Sequence, residues 1–124
     1  MSTLWASTKS GRMSEAIEKR MTELRGLAKE AAKARAEREY LDEFKKSKLA
    51  MLMSAAEALG ASSVAAQERE ARKHPEYLSM LDGLREAVET CERCEWELRI
   101  ALKGADLWQT LQANERAERR GYGA

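Results

Sequence analysis

The stretch GASSVAAQEREARKHP, Gly60 to Pro75, decides the fold. Gly60 suits the left-handed backbone that closes a helix. Ser63 suits the cap of the next one, because its hydroxyl can accept from an amide in the first turn. A short helix is therefore predicted from Val64 to about Lys73. His74-Pro75 then breaks the chain again. Proline disfavours helical geometry at the residue before it. The same proline fits the first turn of a new helix, where its missing N–H would have had no partner.

Helix character spreads both ways from this corner. Upstream there is no proline, and a long helix is expected from Ser14 to about Leu59. Ser14 is the candidate cap, and Glu15 and Glu18 complement the helix dipole. Gly26 interrupts this run at a cost of about 1 kcal/mol against alanine, which a long helix can absorb. Residues 1–13, with Ser, Thr and Gly, read as a flexible arm. Downstream, a second long helix is expected from Pro75 to about Arg119, fraying at Gly121 and Gly123. Neither strand alternation nor a tandem repeat is present. The expectation is an all-α chain with one domain over 14–120. Two long helices joined by a short helical corner would form an antiparallel hairpin.

Composition agrees. The chain has 124 residues, 44% hydrophobic and 35% charged, with a single proline. The aliphatic share is too high for a wholly disordered chain. No apolar run approaches the ~20 residues of a membrane span. An apolar leader followed by a small-residue cleavage site is absent too, so the expected location is cytoplasmic. Cys91 and Cys94 suit a reducing compartment. Net charge is only +1, but it is banded: residues 1–50 are basic, and 76–98 carry 7 acids against 2 bases. A polybasic tail is excluded, while a localised positive patch is not.

Periodicity along the last helix raises the question of assembly. One stripe, in steps of three and four, runs Tyr77, Met80/Leu81, Leu84, Ala87/Val88, Cys91, Cys94, Leu98, Ala101/Leu102, Ala105, Trp108. A second stripe, Trp96, Ile100, Leu107 and Leu111, lies about 160–200° away around the helix. A two-helix hairpin covers one face only, so the second stripe calls for a subunit interface. A homo-oligomer is expected.

Catalytic chemistry finds little footing. Cys91-x-x-Cys94 with His74 offers three poorly placed ligands where a closed zinc site needs four. Both cysteines fall on the apolar stripe, as small buried hydrophobes do. His74 beside Pro75 suits a cap, and no nucleophile–base pair or phosphate-binding glycine loop is evident. The reading is a protein with no catalytic residues, no metal and no cofactor.

The stretch YLDEFKKSKLAMLM, Tyr40 to Met53, stands apart. Lys45, Lys46 and Lys48 follow Tyr40 and Phe44, and no acid appears between Glu43 and Glu57. Arg35 and Arg38 extend the patch upstream. Cations interleaved with rings suit a nucleic-acid single strand, since cations follow phosphates and rings stack on bases. The plainer reading is a solvated helix face. In that reading Lys48, on the apolar line Leu41, Phe44, Met51, Ala55, lays its stem on the core and its ammonium in water.

From Glu39 onward the chain resembles the UvsY family of tailed-phage recombination mediators. The resemblance covers YLDEFKKSKLAMLM, the Gly60 break, and SMLDGLREAVETCERCEWELRIALKGADLWQT, Ser79 to Thr110. It lies in a lysine-rich helix, a short corner, and a long helix with a mid-helix Trp followed by Ala101, Gly104 and Ala105. Residues 1–30 add nothing to it, and the acidic band at 76–98 departs from it. The resemblance implies an oligomer that binds single-stranded DNA. It also implies help in loading a RecA-type recombinase onto strands coated by single-strand-binding protein. Lys45, Lys46 and Lys48 are the positions it carries over to DNA contact. The alternative is an oligomeric helical adaptor, or a phage assembly or regulatory factor, without nucleic-acid binding.

Overall fold

A computed structural model describes residues 11–121 in full, and the backbone of the terminal helices beyond them from Ser2 to Gly123. Among the described residues the chain is all-helical. It comprises α1 (Ser2–Ala58), α2 (Val64–Arg72) and α3 (Pro75–Gly123). Residues 1–10 of the expected arm lie outside the fully described part. Gly11 to Met13 are already helical, so Ser14 is an interior residue of α1 and not its cap. Nothing at 11–13 forces a stop, because a lone glycine costs too little to end a helix. At the other end α3 runs through Gly121, which keeps a negative φ.

The corner is built as its residues dictate. Gly60, with φ 113°, is the one left-handed glycine among the described residues. Its amide bonds to the Glu57 carbonyl at 3.1 Å, and the Ala61 amide reaches the Ala56 carbonyl at 3.0 Å. These two bonds satisfy carbonyls that the end of α1 would otherwise leave unpaired. Ser63 caps α2, its Oγ accepting from the Ala66 amide at 3.1 Å. The Gln67 side chain donates to the Ala61 carbonyl, tying the loop to α2. His74 then opens α3: Pro75 has no N–H to satisfy, and His74 Nδ1 accepts from the Glu76 amide at 3.1 Å.

The chain divides into two compact units, residues 31–93 and residues 1–30 with 94–124. The first holds a core of Leu52, Ala71 and Tyr77, with Leu49, Met53, Met80 and Leu81 packed against it. Ala31, Ala34, Ala87 and Cys91 are buried as well. Four of these seven buried side chains are alanine, so close approach of backbones, more than side-chain bulk, fills this core. Burying the larger ones, Leu52 and Tyr77, contributes about 1.5–3 kcal/mol each. In the second unit Leu24, Leu27, Leu98, Ala101, Ala105 and Trp108 are half-buried, and no described residue is fully buried. Arg20 stacks over the Trp108 ring at 4.8 Å, a contact worth about 0.5–1 kcal/mol near the surface.

Candidate nucleic-acid interface

Every candidate cation sits on α1 within the 31–93 unit. Tyr40 is exposed and its ring lies 6.0 Å from that of Phe44, 12° from parallel, with Phe44 half-buried. The Tyr40 ring therefore keeps an open face. The cations are less open than the sequence suggested. Lys45 pairs with Asp42 at 3.7 Å and Lys46 with Glu43 at 3.1 Å, both one turn back on the same helix. Arg38 meets Glu92 of α3 at 3.1 Å, and Lys48 meets Glu76 of α3 at 3.0 Å. Arg35 is exposed on the same helix.

These pairs differ in kind. Lys46 and Glu43 are both about 70% exposed, and such a pair contributes little and exchanges easily. The Lys48 side chain is only 22% exposed, and it lines a shallow groove with Phe44, Pro75, Ser79 and Met80. Its stem lies along apolar surface while its ammonium meets a carboxylate. The Lys48 ammonium, hydrogen-bonded to Glu76, holds that carboxylate below its ordinary value. On Arg38, the Cys91 side chain and then Glu92 act to keep the guanidinium charged. Glu76 and Glu92 are the members of the site that sequence reasoning missed. The signal for them is the acidic band over 76–98, of which Glu76 and Glu92 meet the basic helix.

The second stripe is placed differently. Trp96, Ile100, Leu107 and Leu111 are between 56% and 67% exposed. Arg99 stacks over the Trp96 ring at 5.0 Å. Cys91 is buried and Cys94 half-buried, neither in a disulfide. No helix is long and apolar enough to cross a membrane among the described residues. No protein-family model, curated protein or solved structure matches the chain.

Proposed function

We propose that the chain is a non-catalytic, self-assembling helical protein that binds single-stranded DNA as a recombination mediator. It would help seat a RecA-type recombinase on strands coated by single-strand-binding protein. The observation that carries the DNA half is that Lys45 and Lys46 of α1 are held by pairs within their own helix, with the exposed ring of Tyr40 within two turns of them. Their partners, Asp42 and Glu43, are exposed and one turn away. A phosphate can take their place at little cost, because exposed pairs are worth about 0–1 kcal/mol. Lys48 belongs to the packing of this unit and anchors the track from beneath. The ion pairs Arg38–Glu92 and Lys48–Glu76 support the antiparallel hairpin, since the later residue of α1 meets the earlier residue of α3.

A second reading, an oligomeric adaptor without nucleic acid, is favoured by the same ion pairs. Arg38, Lys45, Lys46 and Lys48 already face carboxylates. Fluorescence anisotropy with a single-stranded oligonucleotide at two salt concentrations separates the readings. The mediator reading expects binding with little sequence preference. Its log–log salt slope should lose about 0.7 for each phosphate contact removed by Lys45→Ala and Lys46→Ala. Absence of binding at low salt leaves the adaptor.

A further inference from the structure

The exposed apolar residues on the outer face of α3 from Trp96 to Leu111 are spaced symmetrically. Trp96 and Ile100 are four apart, Leu107 and Leu111 are four apart, and Ile100 and Leu107 are seven apart. The order of spacings is the same read from either end, with its centre at the Lys103–Gly104 peptide. Leu102, also exposed, lies off this face. A surface with that symmetry is complementary to a second copy of itself turned end for end, as a two-fold interface requires.

We propose that α3 pairs with α3 of a second copy in antiparallel orientation, about a two-fold axis at Lys103–Gly104. This rests on the self-assembly half of the proposed function and adds its geometry. Trp96 then meets Leu111 of the second copy, and Ile100 meets Leu107. Lys103 comes level with Gly104, which has no side chain. Gly104 stands in open space in the single chain, and its lack of a side chain lets the two helices approach closely at the axis.

Charge is compatible with this pairing. On one flank of the stripe stand Arg99, Lys103 and Asp106. In the antiparallel pair Asp106 of each copy falls level with residue 101 of the other, between Arg99 and Lys103. Lys103 of each copy lies across the axis from Lys103 of the other, and the nearby Asp106 of the second copy offsets the two like charges. The four stripe residues expose on the order of 400–500 Å² of apolar surface per copy. Flanking stems bring this toward the roughly 800 Å² per partner of a standard interface. Arg99 over Trp96 supplies the aromatic and arginine pair that interface centres favour.

Cross-linking reads the polarity directly. In full-length chains with Cys91→Ala and Cys94→Ala, one variant carries Ile100→Cys and another Leu107→Cys. Oxidation of the equimolar mixture is expected to give a linked dimer, and neither variant alone should. Like positions lie about 10 Å apart along the axis in the antiparallel pair. Linked dimer from either variant alone overturns the polarity, and a scattering mass of one chain, or of a dimer that never cross-links, overturns the interface. Trp96→Glu is expected to raise the dissociation constant by about 30-fold or more with helicity retained. Because Trp96 is half exposed in the single chain, lost helicity would mean that the stripe is needed within the fold, which also contradicts the proposal. DNA anisotropy on the cross-linked dimer tests the other half of the reading separately.

Discussion

The 31–93 unit and the unit formed by 1–30 with 94–124 share two helices and differ in what they bury. Each of the seven described hydrophobic residues that are fully buried lies in 31–93. The other unit buries none, and it exposes Met13, Ile17, Met21, Trp96, Ile100, Leu107 and Leu111. Helix propensity alone holds long helices poorly in water, so tertiary packing has to supply the rest. The first unit finds that packing inside its own chain. In the proposed assembly the second finds it in another copy.

Truncation in the core should separate the two most sharply. Tyr77→Ala is expected to destabilise by about 3–5 kcal/mol, because a nearly buried ring leaves a cavity. Leu24→Ala, at a half-buried position of the other unit, should cost about 1–2 kcal/mol. Urea unfolding followed by circular dichroism, below the concentration of assembly, compares them. Equal costs would erase the distinction between the units.

A smaller effect, of opposite sign, is expected at Gly26. It lies inside α1, and nothing stands within 4 Å of the position a Cβ would take. Gly26→Ala should therefore stabilise by about 0.5–1 kcal/mol. A loss of stability in the same unfolding experiment would show that α1 bends or packs at that glycine.

The smallest effect concerns pH and belongs to 31–93. Lys48 lowers the Glu76 value in the folded chain below its ordinary 4.5. The stability this supplies is present above the unfolded value and disappears as pH falls through the lowered one. Lys48→Met should therefore lower the neutral plateau slightly and leave stability at low pH unchanged, so that the acid limb flattens, since the methionine keeps the stem's apolar contacts but not the charge. An unchanged acid limb would show that the Lys48–Glu76 pair does not form in solution.

The corner was legible because its signals are local. Gly60, Ser63 and Pro75 each act on the backbone within a few residues, and each does what its chemistry allows. Ser14 misled for the same reason. It is a competent cap, but a cap matters only where a helix starts, and no neighbouring residue forced a start there. The candidate site was legible only by half. Lys45, Lys46 and Tyr40 could be placed off the apolar line of α1 from spacing. That Lys48 and Arg38 meet Glu76 and Glu92 depends on residues 28 and 54 positions away, beyond the reach of any local pattern. The exposed stripe Trp96 to Leu111 was legible because periodicity shows two apolar faces where one hairpin can cover one.

The measurement that tests the division most directly is amide hydrogen exchange at two protein concentrations, on either side of assembly. Protection of 31–93 should be independent of concentration, because its core is its own. Protection of 11–30 and 94–121 should rise with concentration, as a second copy covers the outer face of α3. Equal protection of both units at the lower concentration, unchanged at the higher, would contradict the account.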